Sequence, residues 1–189
     1  MLTERYADAL QFAWRLHDGQ LRKGTAIPYI SHLISVSGLA LEHGANEDEA
    51  IAALLHDAVE DAGGKPTLVA IRERFGNAVA DIVDGCSDAD SDPKPPWRQR
   101  KEAYLAHIAN APVPVRLVSN ADKLHNARTI LLDLRTLGPS LWGRFTAGKD
   151  GSLWYYRSLA SAFASHGRSP LVDELDRTVA EIEALAAAN

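Results

Sequence analysis

The chain has 189 residues, of which 46% are apolar and 24% are charged, a composition that is ordinary for a globular protein with a buried core. The formal net charge is −5 and the two signs are interleaved, which disfavours nucleic-acid binding because that requires clustered cations. One cysteine excludes an internal disulfide, the first ten residues are too charged for a signal peptide, and no apolar run could span a membrane. We therefore expect a soluble cytoplasmic protein with one domain over residues 1–189, of open oligomeric state.

The first part of the chain has the apolar spacing of helices, interrupted by glycine and proline. A first helix is predicted after Thr3, which can act as its N-cap. Its predicted apolar face comprises Ala7, Leu10 and Trp14. A second helix is predicted over about 31–43. A third begins after Asn46 with a capping-box pattern and continues to about Val59 or Asp61.

The rest of the chain also has helical spacing, with Thr67 as the expected N-cap of the next helix. The acidic, proline-containing segment 87–96 is interpreted as a loop within the domain. This helix is predicted to end at residue 75, and another is predicted to begin at residue 77. Further helices are predicted over about 97–110, 114–134, 152–165 and 170–188. Because no segment alternates in the manner of a strand, the predicted fold is all-α.

Four ionisable residues lie together at the predicted end of the third helix: His56, Asp57, Glu60 and Asp61. Each residue advances a helix by about 100°, so His56 and Glu60 lie near one azimuth and Asp57 and Asp61 near another. Three carboxylates and an imidazole on an otherwise apolar helix are costly unless a positive charge lies among them. A divalent cation meets that need, although a solvated helix end with a capping aspartate would also explain a single His-Asp pair.

A second polar stripe lies on a later predicted helix. Asp122, Asn126 and Thr129 occur at positions i, i+4 and i+7, which places them on one helix face. The opposite face carries the apolar residues Leu117, Leu124, Ile130 and Leu131. A solvated surface has no need of this combination of Asp, Asn and Thr, so the stripe indicates a binding role.

Five segments in this order resemble the hydrolase domain of the RelA/SpoT family, and the short chain resembles its stand-alone small alarmone hydrolases, which include the metazoan SpoT homologs. The segments are Gln20-Leu21-Arg22-Lys23, Pro28-Tyr29-Ile30-Ser31-His32, Ala52–Asp61, Phe75-Gly76 and Ala121–Thr129. The resemblance covers about residues 12–129 and implies an HD-type helical domain, which the helices over 152–189 would complete. Five ordered motifs are far more specific than one short match.

The resemblance implies that one divalent cation is held by His32, His56, Asp57 and Asp122. Mixed imidazole and carboxylate ligands suit Mn²⁺, with Fe²⁺, Co²⁺ or Zn²⁺ also possible. The family typically uses Mn²⁺, which we therefore expect. The implied chemistry is attack of a metal-activated water on phosphorus.

By the same resemblance, Glu60 and Asp61 match the catalytic pair of the family. Their implied role is to orient and deprotonate water and to protonate the leaving ribose oxygen. The other histidines have no evident partner and are expected to be structural or exposed: His17, His43, His107, His125 and His166.

The resemblance also implies contacts with a nucleotide. The implied substrate-binding residues are Arg22, Lys23, Asn126, Thr129, Lys149 and Tyr155. Arg22 would stack on the base or pair with a phosphate, and Lys23 would supply charge to a phosphate. Alternatives stay open, since a basic loop can simply be solvated and Thr129 can bond to a carbonyl of its own helix.

The leading hypothesis is hydrolysis of the 3′-pyrophosphate of a nucleotide alarmone such as ppGpp, with ppApp as a further substrate. One alternative is an HD phosphatase for another nucleotide, such as the 2′-phosphate of NADPH or a nucleoside monophosphate. Another is a catalytically silent nucleotide sensor, which would have no use for both Glu60 and Asp61. The segment 22–32 is one residue longer than is common in the family, which leaves base preference open. About 60 residues follow the motifs, too few for a synthetase domain.

Overall fold

The computed structural model describes residues 1–87 and 95–188, and the chain divides into two compact units. The first comprises residues 1–94 and 111–121, and the second comprises 95–110 and 122–189. Within the described residues, regular structure is helical apart from one isolated antiparallel bridge between Leu21 and Pro28, which confirms the all-α prediction. Most of the predicted loop over 87–96 lies outside the described residues. The prediction of a single domain stays a prediction.

The helices of the first unit include the central helix of its core. They are α1 (Glu4–Leu16), α2 (Ile30–Glu42), α3 (Glu47–Leu55), α4 (Ala58–Asp61), α5 (Lys65–Phe75) and α6 (Asn77–Cys86). Helix α3 packs against α1, α2 and α6, and its residues 50–55 are fully buried. A helix that is apolar on every side is stable only in such an interior position. The capping box is confirmed, since the side chains of Asn46 and Glu49 each accept a hydrogen bond from the other's backbone amide.

The predicted continuation of the third helix to Val59 or Asp61 is wrong. Helix α3 ends at Leu55, His56 and Asp57 form a turn, and α4 adds a single helical turn. At this turn the carbonyl of Ala53 accepts a hydrogen bond from His56 Nδ1, at 2.9 Å. The azimuths of a straight helix therefore do not describe where the four ionisable side chains lie.

Two further local predictions are wrong in position. On α1 the buried residues are Ala9 and Ala13, whereas Ala7 and Trp14 are exposed. Small alanine side chains let α1 approach its neighbours closely, and the bulky indole lies at the edge of the packed face. Helix α5 begins at Lys65, three residues earlier than an N-cap at Thr67 predicts, and the Thr67 hydroxyl donates to the Ala62 carbonyl instead of capping the helix.

The second unit is also helical. It comprises α7 (Trp97–Ile108), the later part of α8 (Val113–Leu137), a 3₁₀ helix (Gly138–Arg144) that the sequence did not predict, α9 (Gly148–Ala164) and α10 (Pro170–Ala188). Helix α9 packs against α7, the 3₁₀ helix and α10. Ion pairs join α9 to α10, where Arg157 contacts Asp176 at 2.7 Å and Glu183 at 2.5 Å. Within the described residues, no helix has the length and apolar character that crossing a membrane requires.

Candidate metal centre

Three of the four predicted metal ligands converge in the first unit. His32 lies in the first turn of α2, while His56 and Asp57 form the turn between α3 and α4. One potential ligand atom from each lies within 4.8 Å of the others. The Asp57 Oδ2 atom is 3.0 Å from His56 Nε2 and 3.6 Å from His32 Nε2. Both imidazoles are buried and the carboxylate is partly exposed, so the donor atoms can meet at one point.

Neighbouring groups orient these side chains. The bond from His56 Nδ1 to the Ala53 carbonyl means that Nδ1 carries the proton, which leaves Nε2 as the atom facing Asp57. The Tyr29 hydroxyl donates to Asp57 Oδ2 at 2.5 Å, and the ring of Tyr29 packs edge-on against His32. Outer partners of this kind fix ring orientation and ligand basicity in metal sites. Two imidazole nitrogens and a carboxylate oxygen, oriented in this way, fit a divalent transition-metal ion.

Glu60 and Asp61 lie on α4, which follows the turn formed by His56 and Asp57. Glu60 is partly buried, and the more exposed Asp61 accepts a hydrogen bond from Gln20 Nε2 at 2.9 Å. The net effect of its surroundings raises the pKa of the Asp61 carboxyl: desolvation raises it most, the Gln20 bond lowers it, and the charges of Asp57 and Glu60 raise it further. A carboxyl whose pKa is raised is better suited to exchanging protons near neutral pH.

The predicted basic loop is closed by its own backbone. The Arg22 amide donates to the Ile27 carbonyl at 2.9 Å, next to the bridge between residues 21 and 28. The Arg22 carbonyl accepts bonds from both the amide and the hydroxyl of Thr25. Gly24 has a φ of +73°, which strongly favours glycine at the tip. The loop presents Arg22 partly buried and Lys23 exposed.

The fourth predicted ligand, Asp122, belongs to the second unit, where its carboxylate is buried. It accepts hydrogen bonds from Asn126 Nδ2 at 2.5 Å and from Lys123 Nζ at 2.6 Å. Burial by itself lowers the pKa of the Lys123 ammonium, but the charge of Asp122 and two nearby tyrosines outweigh it, so this pKa lies well above its usual value. The ammonium is therefore charged and balances the carboxylate. Farther along α8, the Thr129 hydroxyl donates to the His125 carbonyl at 3.0 Å, which is the helix-internal bond left open as an alternative.

The remaining two predicted substrate residues lie on α9 in the second unit. Lys149 Nζ donates to the carbonyl of Ala186 on α10. Tyr155 is buried in an aromatic cluster with Trp97, Trp154 and Tyr156, at centroid distances of 6.0, 6.3 and 5.8 Å. Lys101 Nζ lies 5.0 Å from the Tyr155 ring centroid. The role of both residues toward a nucleotide stays a prediction.

Sequence reasoning missed three residues that contact the predicted site residues. Tyr29 binds Asp57, Gln20 binds Asp61, and Lys123 binds Asp122. Each occurs inside a segment that carries the family resemblance, next to or near a residue that was assigned a role. The signal that could have found them is therefore the motif as a whole, which contains more polar side chains than the ligands alone explain.

Comparisons with known proteins identify similar sequences. A family model described as the HD domain matches residues 9–152. The guanosine-3′,5′-bis(diphosphate) 3′-pyrophosphohydrolase MESH1 of Xenopus tropicalis is 36% identical over 138 residues, which cover 71% of this chain and 72% of that protein. A guanosine-3′,5′-bis(diphosphate) 3′-pyrophosphohydrolase of Haemophilus influenzae is 35% identical over 120 residues, which cover 60% of this chain and only 17% of that protein.

The fold has a similar solved counterpart. A structure described as a metazoan ortholog of SpoT that hydrolyzes ppGpp superposes with a TM-score of 0.75 at 26% identity. The superposition covers 96% of this chain and 95% of that one. Similarity in sequence and similarity in fold therefore lead to the same group of proteins.

Proposed function

Because the chain belongs to the HD-domain family, we propose that it is a metal-dependent phosphohydrolase that removes the 3′-pyrophosphate of a guanosine alarmone such as ppGpp. The observation that carries the proposal is the convergence of His32, His56 and Asp57 on one point, with Glu60 and Asp61 on the adjoining turn. The relatives named as 3′-pyrophosphohydrolases support the choice of substrate. The products would be a nucleoside 5′-diphosphate and intact pyrophosphate.

The proposed ligand set adds Asp122 to the three residues of the first unit. Its place in the Ala121–Thr129 motif and its buried carboxylate support this assignment. Mixed nitrogen and oxygen donors suit Mn²⁺, with Fe²⁺, Co²⁺ and Zn²⁺ as alternatives, and the family resemblance makes Mn²⁺ the ion that we propose. When bound, such a cation would supply Lewis acidity that polarises the phosphate and makes water a better nucleophile.

The proposed proton transfers belong to Glu60 and Asp61. The raised pKa of Asp61 and its accessible position support a role in taking a proton from water or returning one to the ribose 3′-oxygen as it leaves. Glu60 precedes it on the same helical turn and is partly buried, which suits a residue that orients water. A sensor that only bound a nucleotide would need neither carboxylate.

The proposed nucleotide contacts are those implied by the family motifs. The set comprises Arg22, Lys23, Asn126, Thr129, Lys149 and Tyr155. Lys23 is an exposed cation on a loop that its own backbone holds closed, a geometry that supports a phosphate contact. Because the whole chain is net negative, such local cations would be needed to attract a polyanionic substrate. We also propose a cytoplasmic location. A nucleotide substrate and a single buried cysteine, Cys86, both accord with it.

A substrate panel tests the proposal. We expect the purified protein to convert ppGpp to GDP, to lose this activity in EDTA and to regain it with Mn²⁺. The panel should include ppApp, since the loop over 22–27 borders the expected base contact, and NADPH and GMP as substrates of the competing phosphatase function. Activity confined to NADPH or GMP would contradict the proposal and favour the general HD phosphatase.

A further inference from the structure

The side chain of Gln20 lies between two residues of the first unit. Its Nε2 donates to Asp61 Oδ2 at 2.9 Å, and its Oε1 lies 2.7 Å from His17 Nδ1. Gln20 occupies the short connection between α1 and α2, whereas Asp61 ends α4. One amide thus bridges a buried histidine and the proposed catalytic carboxylate.

The chemistry of the three groups fixes the direction of both bonds. An ionised carboxylate can only accept hydrogen bonds, so the amide NH₂ of Gln20 must face Asp61. The amide oxygen therefore faces His17, and His17 must donate from Nδ1. A reversed amide would place its oxygen against an oxygen of the ionised Asp61 carboxylate, and the bond to Asp61 would be lost.

The anchor at the other end of this amide is rigid. His17 is 4% exposed, and its ring stacks on Tyr29 with centroids 5.2 Å apart. The Gln20 backbone is held as well, because its amide donates to the His17 carbonyl and its carbonyl accepts from the Tyr29 amide. Gly19, with a φ of +73°, permits the turn that brings Gln20 back toward His17. Contacts with His17 and Tyr29 therefore hold both the backbone and the side-chain amide of Gln20, independently of its bond to Asp61.

We propose that Gln20 is a positioning residue that, anchored by His17, holds the Asp61 carboxylate in the orientation its proton transfer requires. The inference rests on the proposed function, since it takes Asp61 to be catalytic. Asp61 lies on a four-residue helix that is followed by Gly63 and Gly64. Such a short helix does little to restrain an accessible side chain, so the bond from Gln20 supplies the restraint.

Substitution of Gln20 by methionine is the direct test. Gln20→Met keeps the length of the side chain but removes both hydrogen bonds, and the partly exposed position should tolerate it. We expect kcat for ppGpp to fall by roughly 10–100-fold, since a misplacement of about 1 Å of a reacting group can cost about 100-fold in rate, while KM and metal content stay unchanged. The matched control is Gln11→Met, at an exposed position on α1, which should retain the wild-type kcat.

A second measurement examines the contact without using turnover. In the NMR spectrum, the side-chain amide signals of Gln20 should shift in Asp61→Asn and stay in place in Asp84→Asn, a change at an exposed position on α6. A wild-type kcat in Gln20→Met, or amide signals indifferent to Asp61→Asn, would overturn the inference and leave the proposed function standing. If the wild-type protein itself failed to hydrolyse ppGpp, the proposed function would fall instead.

Discussion

The metal cluster of the first unit and the polar face of α8 in the second unit are built in different ways. In the cluster, His32 and Asp57 come from separate elements, and Tyr29 joins them from a loop. On α8, two hydrogen bonds are local: Asn126 donates to Asp122 and Thr129 donates to the His125 carbonyl, each one helical turn back. Side chains that converge from distant parts of the chain support a shared site, whereas bonds within one helix also form where no ligand binds.

Residues of the molecule can be divided by the property that their substitution should change. Some are proposed to react, some orient the proposed metal ligands, and some only stabilise a unit. If the comparison is right, substitutions of these three kinds should differ in size and in the property they change. The predictions below run from the largest expected effect to the smallest.

The largest effect is expected at the proposed catalytic pair. Glu60→Gln and Asp61→Asn should each lower kcat by roughly 10²–10⁴-fold, because each removes a group able to transfer a proton. Metal content, measured by elemental analysis, should stay at one ion per chain, since neither residue belongs to the proposed ligand set. Loss of the metal in either variant would move that residue into the ligand set, and unchanged turnover in both would refute their catalytic role.

A smaller effect is expected for the hydroxyl that orients the ligand carboxylate. Tyr29→Phe keeps the ring and removes the hydroxyl that binds Asp57, and loss of such an outer partner should weaken metal affinity by about 10–100-fold. Titration with Mn²⁺ measures the change. The matched control is Tyr6→Phe, because the Tyr6 hydroxyl in the same unit binds Ser37 and no ligand. Equal affinities in the two variants would show that Tyr29 does not support the cluster.

The smallest effect is expected at the ion pairs between α9 and α10, and it should concern stability alone. Arg157→Met should lower the free energy of unfolding by about 0.2–1 kcal/mol for each pair lost, without changing kcat. Hydrogen bonds from Arg157 and then Arg168 hold the pKa of Asp176 below its usual value. The Asp176 contribution is therefore present above about pH 3.9, the usual value for an aspartate, and is lost as the pH falls through the lower folded-state pKa.

Urea denaturation at several pH values measures this contribution. The difference between wild type and Arg157→Met should be constant near neutral pH and should shrink below about pH 4. Arg135→Met is the control, since the pair between Arg135 and Glu181 is more exposed and should be worth less. A difference that grew on acidification would contradict the assigned sign.

Local signals in the sequence predicted local structure well. The capping box of Asn46 and Glu49 was predictable because its partners are three residues apart. The buried face of α1 was predicted wrongly because apolar periodicity gives more weight to Trp14 than to Ala9 and Ala13. Close packing of helices favours small side chains such as alanine. The break in the helix after Leu55 was missed because the turn there brings Asp57 into contact with residues outside the helix.

The candidate site was predictable in residue type and only partly in its contacts. The motifs identified His32, His56 and Asp57, and the structure brings these three together. Gln20 and Tyr29 were missed because their partners lie 41 and 28 residues away, and a neutral polar side chain gives no charge pattern that would reveal them. The motifs contain both residues, but only the folded chain shows which carboxylate each one contacts.

The central claim is that water attacks the phosphorus next to the ribose 3′-oxygen, and turnover of ppGpp in ¹⁸O-labelled water tests it most directly. The account predicts that mass spectrometry finds one ¹⁸O atom in pyrophosphate and none in GDP, in a reaction that EDTA stops and Mn²⁺ restores. Label in GDP would place the attack on the ribose carbon. Release of labelled orthophosphate would place it on the outer phosphorus. The first result would contradict attack at phosphorus, and the second would contradict the assignment of this chain as a 3′-pyrophosphohydrolase.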